Sequence, residues 1–151
     1  MSQSRAHAGV SVDVASTVRR LPLPRARVRE IVRAVMQAEG VRDALVSVTF
    51  VGVATISRLN RDYLSRRGPT DVIAFGLERA GAATPVIGDI YICPKIAERN
   101  ARRLRIPLKR ELARLVVHGT LHVLGLDHPE DGARAASPMW RKQERILASI
   151  D

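Results

Sequence analysis

The sequence predicts a single α+β domain, and three observations support this fold class. Short apolar segments typical of strands are interspersed with longer segments in which apolar residues recur at helical spacing. Hydrophobic residues make up 46% of the 151 residues, which excludes a disordered chain and suffices for one buried core. No repeat or linker divides the chain, so residues 1–151 are expected to form one domain, with residues 1–8 as an N-terminal tail.

The first half of the chain is predicted to contribute two strands and two helices. Val10–Val14 alternates apolar and polar residues, which indicates a strand. Ala26–Glu39 carries apolar residues three and four positions apart and is followed by glycine, which predicts a helix. The β-rich segment Leu45–Val53 predicts a second strand, and Ala54–Leu64 returns to helical spacing before a Gly-Pro pair.

The second half is predicted to contribute two strands and then three helices. Asp71–Leu77 and Val86–Cys93 are short and apolar, as strands are. Pro94–Leu104 opens with proline, which fits the first turn of a helix. Further helices are expected at Leu108–Leu124, which a glycine stops, and at Pro138–Ile150.

The charge of the chain points to a polyanionic partner. Twenty-five Lys and Arg residues oppose 15 Asp and Glu residues, giving a net charge of +10, and all but three of the basic residues are arginine. Arginine pairs bidentately with phosphate, although a basic surface can also serve solubility alone. Lys95–Arg114 carries a net charge of +6 and no aromatic residue, so we expect contact with a nucleic-acid backbone rather than base stacking.

Cysteine content and hydropathy indicate the compartment. The lone cysteine, Cys93, excludes an internal disulfide and a cysteine-rich zinc cluster, and it is expected to be a small buried residue. Residues 1–20 lack the apolar core of a signal peptide. Because Arg114 and two histidines interrupt the apolar run Leu112–Leu126, no membrane span is expected, and the cytoplasm is the simplest location.

Three of the four histidines form an H-x3-H-x5-H pattern: His118, His122 and His128. Residues four apart lie on one helix face, and Gly125 can end the helix and let the chain turn His128 back toward the same point. Three imidazoles leave a fourth position open, as in catalytic zinc sites, although nickel or copper would also bind. The spacing resembles that of the metzincin proteases, but their general-base glutamate is here Gly119, which disfavours protease chemistry.

The segment His118–His128 resembles the His-Gly-x-Leu-His-Leu-x-Gly-x-Asp-His motif of the YbeY family of bacterial rRNA maturation ribonucleases. Pro69–Phe75 resembles the family's Pro-Thr-Asp-Val-Leu-Ser-Phe segment, and Gly88–Ile92 resembles its Gly-Asp-Ile-x-Ile strand. The order and spacing of these motifs agree over about residues 45–147. The resemblance implies a small mixed four-stranded sheet packed with about five helices, with the histidine motif on a central helix.

The resemblance also implies an activity, a cofactor and a partner. The expected activity is that of a zinc-dependent, single-strand-specific endoribonuclease that matures the 3′ end of 16S rRNA and acts in ribosome quality control. One Zn²⁺ ion is expected on His118, His122 and His128. The expected partners are rRNA, the small ribosomal subunit and ribosomal or assembly proteins, with no membrane and no DNA specificity.

His118 and Asp127 are the candidate catalytic residues. Asp127 has two interpretations, either as a hydrogen-bond partner of a ligand histidine or as a group that handles protons. Cleavage would use either water or the 2′-OH as the nucleophile. Two other functions stay open, namely a zinc hydrolase of another substrate class and a ribosome-assembly RNA-binding module whose metal is structural.

One departure from the family concerns arginine. The family commonly has a functional arginine where this chain has Leu64, and Arg67 replaces an acidic residue expected before the Pro-Thr-Asp segment. Arg66 or Arg67 would then contact phosphate instead, or both are solvated loop residues. The candidate phosphate-binding residues are Arg66, Arg67, Arg99, Arg102, Arg103, Arg110 and Arg114.

Overall fold

The computed structural model describes residues 9–128 and 137–150. The predicted N-terminal tail, residues 1–8, lies outside these ranges. The elements follow in the order β1 (Val10–Ser16), α1 (Arg25–Ala38), β2 (Ala44–Phe50), α2 (Val53–Leu64), β3 (Val72–Gly76), β4 (Val86–Ile92), α3 (Pro94–Leu104), α4 (Leu108–Val123) and α5 (Pro138–Ile150).

The four strands form one mixed sheet in the order β1-β2-β4-β3. β1, β2 and β4 run parallel, so that Val14 pairs with Val48 and Val48 pairs with Ile90. β3 lies antiparallel to β4 at the edge, where Ala74 pairs with Ile90. The predicted α+β fold, with a small mixed sheet of four strands and about five helices, is confirmed for the described residues.

One face of the sheet carries the main hydrophobic core. Val12, Val48 and Ile90 belong to this core because alternate strand residues share one face, and helices α1 and α4 cover that face. Helix α5 packs on α4 and α1, and Lys142 Nζ of α5 lies 2.8 Å from Glu39 Oε1 just after α1. Helix α4 therefore lies between the sheet and α5, which confirms the prediction of a central helix for the histidine motif.

A smaller core lies on the other face of the sheet. Val51, Ile56, Ile73 and Cys93 are buried together there, and Ile56 is contributed by α2. Cys93 is fully buried, as predicted. This cluster fixes α2, whose C-terminal end leads into the loop that reaches the histidines.

Glycines let α4 approach β3 and β4 closely. A Cβ at Gly119 would lie 2.7 Å from Ile90 Cγ2, and a Cβ at Gly76 would lie 2.5 Å from the carbonyl oxygen of Val123. A Cβ at Gly88 would overlap the side chain of Val123. The absence of these three side chains brings the C-terminal half of α4, and with it the histidine motif, onto the sheet.

The observed elements differ from the predicted ones mainly at their ends. β2 ends at Phe50 rather than Val53, because Gly52 caps α2 in an extended conformation and Val53 is already helical. β3 spans Val72–Gly76, one residue shorter at each end than predicted. Within the described ranges, no helix has the length and apolarity that a bilayer span requires.

Candidate metal centre

The end of helix α4 brings the three histidines of the motif together. Gly125 has a φ of 94°, its N–H donates to the carbonyl of His122 (2.9 Å), and the N–H of Leu126 donates to the carbonyl of Leu121 (3.1 Å). These two hydrogen bonds form a Schellman motif, which needs a left-handed residue at the glycine position. The motif reverses the chain, so His128 faces the helix that carries the other two histidines.

The ring nitrogens of the three histidines fit a metal ion. His118 Nε2 lies 3.1 Å from His122 Nε2 and 3.3 Å from His128 Nε2. One ligand atom from each ring lies within 4.8 Å of the others. Nitrogens around a tetrahedral zinc with Zn–N bonds of about 2.0–2.1 Å are roughly 3.3 Å apart, so this donor set suits such an ion.

The ring of His118 is held from its other side by Gln143. His118 Nδ1 lies 2.6 Å from Gln143 Oε1, and Gln143 of α5 is fully buried. A nitrogen that donates to an amide oxygen carries a proton, which leaves the lone pair on Nε2 for a metal. Sequence reasoning missed Gln143, because no motif marks it and only the packing of α5 on α4 brings it to the site.

A chain of charged groups continues from Gln143. Gln143 Nε2 donates to Glu144 Oε2 (3.0 Å), and Arg114 donates to both oxygens of Glu144 (3.1 and 3.2 Å). Arg114 also donates to Glu111 Oε1 (2.8 Å). The structure therefore places Arg114, a candidate phosphate-binding residue, between two carboxylates, with its side chain only 15% exposed.

The pKa values of the two carboxylates beside Arg114 are shifted in opposite directions. Burial raises the pKa of Glu111 above 4.5, and the hydrogen bonds and charge of Arg114 offset this only in part. Burial would also raise the pKa of Glu144, but hydrogen bonds from Arg114 and Gln143, together with the charge of Arg114, lower it below 4.5. Glu144 is therefore an ionised hydrogen-bond acceptor at neutral pH.

Asn100 joins this network to the loop before β3. Asn100 Nδ2 lies 3.0 Å from Asp71 Oδ2 and 3.3 Å from Glu111 Oε2. The other oxygen of Asp71 accepts from the N–H of Val72, the first residue of β3 (2.8 Å). These groups line a cavity of about 460 Å³ that also includes His118 and Gln143.

The three histidines open onto a second cavity of about 290 Å³. Asp71 and His118 border both cavities. Asp127 lines the histidine cavity and accepts from the backbone N–H of His128 (2.8 Å), so it holds the turn that presents this histidine. Among the described residues, the lining consists of Leu64, Arg66, Thr70, Asp71, Val72, Ile73, Ala74, His118, His122, Asp127 and His128.

The loop after α2 places Arg66 beside the histidines. Asn60 is buried, its Nδ2 donates to the carbonyl of Gly68 (3.0 Å), and its carbonyl accepts from the N–H of Arg66 (3.1 Å). Leu64, Arg66 and Arg67 are all exposed, but only Leu64 and Arg66 line the histidine cavity. Arg66 therefore lies at the candidate site and Arg67 does not, which the sequence alone does not reveal.

The remaining arginine candidates lie outside the histidine cavity. Arg103 lines the neighbouring 460 Å³ cavity. Arg99 and Arg102 are exposed on α3, where Arg102 pairs with Glu98, and Arg110 is half-buried on α4. None of these four residues lines the histidine cavity, and phosphate binding by them stays a prediction.

Comparison with known proteins identifies the family. A family profile described as Endoribonuclease YbeY matches residues 16–151. Endoribonuclease YbeY of Geobacter sulfurreducens is 34% identical over 145 residues, covering 94% of this chain and 97% of the relative. That of Moorella thermoacetica is 43% identical over 130 residues, covering 80% and 82%. The solution structure of TM1509 from Thermotoga maritima matches with a TM-score of 0.58 at 26% identity, covering 92% of this chain and 88% of that one. The chain belongs to the endoribonuclease YbeY family.

Proposed function

We propose that this protein is a zinc-dependent endoribonuclease that cleaves single-stranded RNA at the cavity of the three histidines. The observation that carries the proposal is the convergence of three imidazole ligand atoms within 4.8 Å, in a member of an endoribonuclease family. Zinc is proposed because an all-imidazole set, in which His118 Nε2 lies 3.1 Å from His122 Nε2 and 3.3 Å from His128 Nε2, suits a tetrahedral ion and leaves its fourth position open.

The residues of this chain supply a charge environment suited to a phosphodiester. Bound zinc would supply Lewis-acid polarisation of a phosphoryl oxygen and lower the pKa of a coordinated water. Neutral imidazoles would leave the full charge of such an ion uncompensated. Arg66, on the same cavity, is proposed to orient the phosphate and stabilise the charge that develops in the transition state.

Asp127 is proposed to act through His128. Its hydrogen bond to the backbone N–H of His128 fixes the turn after α4 and so keeps that ring aimed at the other two. This role is closer to the ligand-supporting interpretation than to proton handling, although the contact is with the backbone of His128 rather than its ring.

The proposed substrate is the 3′ end of 16S rRNA, on or near the small ribosomal subunit in the cytoplasm, and we propose a role in ribosome quality control as well. The net charge of +10 and the exposed arginines of α3 support binding to an RNA backbone. Depletion of the protein is expected to cause 16S rRNA with an unprocessed 3′ end to accumulate. Normal 3′ ends after depletion would contradict this choice of substrate.

The activity itself is tested by His122→Ala together with metal chelation. His122→Ala is expected to abolish cleavage of a single-stranded RNA but to keep salt-dependent binding of it, because most of the basic surface lies elsewhere. Chelation of the wild-type protein is expected to stop cleavage while the circular dichroism spectrum is retained. Unfolding on chelation would indicate a structural metal, and cleavage by metal-free His122→Ala would exclude the proposed mechanism.

A further inference from the structure

We infer that Gln143 and Glu144 are positioning residues for the candidate metal ligand His118, and that Arg114 sets the direction of the hydrogen bonds joining them. The inference rests on the proposed metal site and adds the side chains that decide which nitrogen of His118 is free to bind the ion. None of these side chains belongs to the histidine motif.

The direction of each hydrogen bond follows from the charged end of the chain. The guanidinium of Arg114 has only N–H donors, and the ionised carboxylate of Glu144 has only acceptors. The amide nitrogen of Gln143 must therefore face Glu144, at 3.0 Å, because the opposite orientation would oppose two acceptors. The amide oxygen of Gln143 then faces His118.

The orientation of the Gln143 amide determines which ring nitrogen of His118 carries the proton. The oxygen of Gln143 can only accept, so the Nδ1 of His118, 2.6 Å away, must donate and carry the proton. The neutral ring then has its lone pair on Nε2, the atom that lies 3.1 Å from His122 Nε2. Gln143 is 0% exposed, so bulk solvent has little access to its amide.

Loss of this arrangement should weaken metal binding without removing a ligand. With leucine at position 143, His118 can take either tautomer and its ring can rotate. Supports of this kind typically contribute about 10–100-fold to metal affinity, and we expect Gln143→Leu to lose that much Zn²⁺ affinity. Glu144→Gln should lose less, because the amide of Gln143 can then adopt both orientations.

A conservative replacement and a neighbouring one serve as controls. The exchange variant Gln143→Glu/Glu144→Gln keeps an oxygen facing Nδ1 and a donor–acceptor pair between positions 143 and 144, so the proton is expected to stay there and Zn²⁺ affinity to exceed that of Gln143→Leu. Arg145→Gln changes an exposed residue of the same helix and should leave both readouts at wild-type values. Circular dichroism of each variant separates loss of folding from loss of the hydrogen bond.

Two separate measurements give the tautomer of His118 and the affinity of the protein for Zn²⁺. Metal-free protein with ¹⁵N-labelled histidine, at about pH 8 where imidazole is neutral, gives the tautomer of each ring by long-range ¹H–¹⁵N correlation. Competition with a chromophoric chelator gives the affinity for Zn²⁺ alone. We expect wild-type His118 to carry its proton on Nδ1 and Gln143→Leu to show a mixture of tautomers.

Two results would overturn the inference. The first is a wild-type His118 protonated on Nε2, which can be read even if Gln143→Leu does not fold. The second is a folded Gln143→Leu with wild-type affinity for Zn²⁺. Failure of the proposed function looks different, since the wild-type protein itself would then bind no Zn²⁺ or cleave no RNA while the tautomer of His118 stayed as inferred.

Discussion

At the scale of single residues, Gly119 determines how closely helix α4 approaches the sheet. It follows His118, at the position where a metzincin protease carries its general-base glutamate. In this fold a Cβ at Gly119 would already lie 2.7 Å from Ile90 Cγ2, so the position faces the core rather than the metal. The residue that disfavours protease chemistry is therefore also a packing residue of the fold.

The packing role of Gly119 predicts that adding a single methyl group at this position lowers the stability of the fold. We expect Gly119→Ala to destabilise the fold by about 1–3 kcal/mol in urea denaturation, because overpacking a core outweighs the roughly 1 kcal/mol that alanine gains by helix propensity. Gly81→Ala is the matched control, since a Cβ there meets nothing within 4 Å. Unchanged stability in Gly119→Ala would show that the contact of α4 with the sheet is looser than described.

The two loop arginines give a second prediction at this scale. Arg66→Ala is expected to slow cleavage of single-stranded RNA by on the order of 100-fold, the usual effect of removing one group that stabilises transition-state charge. Arg67→Ala is the matched control and should cleave at the wild-type rate, because Arg67 does not line the histidine cavity. Wild-type rates in both variants would remove Arg66 from the site.

At the scale of elements, α5 completes a site whose candidate ligands all lie on or just after α4. Arg114 of α4 and Glu144 of α5 form a bidentate ion pair. Gln143, also on α5, forms a hydrogen bond with His118. Lys142, on the same helix, pairs with Glu39 after α1. The docking of α5 is thus coupled to the orientation of a candidate metal ligand.

The ion pair between α4 and α5 predicts a pH-dependent contribution to stability. The pKa of Glu144 is lower in the folded state than its ordinary 4.5, so Glu144 stabilises the fold above about pH 4.5 and this contribution is lost as the pH falls further. Glu144→Gln should therefore be less stable than wild type at pH 7, with the difference shrinking below pH 4.5. Urea midpoints across pH measure this, and a difference independent of pH would contradict it.

The sequence predicts local elements of this fold better than it predicts their contacts. Pro138–Ile150 was predicted with its observed ends, because proline and helical spacing are local signals. The convergence of the three histidines also follows from helix spacing and one glycine. The contact of Gln143 with His118 joins residues 25 positions apart and depends on how two helices pack, so no local pattern reveals it. The separation of Arg66 from Arg67 likewise depends on the loop that Asn60 holds.

At the scale of the whole molecule, the basic charge surrounds the site more than it enters it. Arg99, Arg102 and Arg103 are exposed on α3, and Arg103 borders the cavity next to that of the histidines. Arg114, in contrast, has a side chain only 15% exposed and is paired with the carboxylates of Glu111 and Glu144. An RNA strand that ran along α3 would therefore meet these three arginines next to the candidate metal centre.

This arrangement predicts how salt affects RNA binding. Replacing Arg99, Arg102 and Arg103 together with alanine should weaken binding of single-stranded RNA and reduce the slope of log K against log salt by about 2, given roughly 0.7 per phosphate contact. The exposed residues Arg33 and Arg42, which line a different cavity near α1, form the control pair and should change the slope less. An unchanged slope in the triple variant would move the RNA path away from α3.

A catalytic metal centre at the three histidines is tested by the rate of RNA cleavage as Zn²⁺ is added to metal-free protein. We expect cleavage of a single-stranded RNA to rise with Zn²⁺ and to saturate at one ion per chain. We also expect His122→Ala, folded by circular dichroism, to stay inactive at the same concentrations. Full activity in the metal-free wild-type protein, or activity of His122→Ala equal to wild type, would contradict a metal centre built from the three histidines.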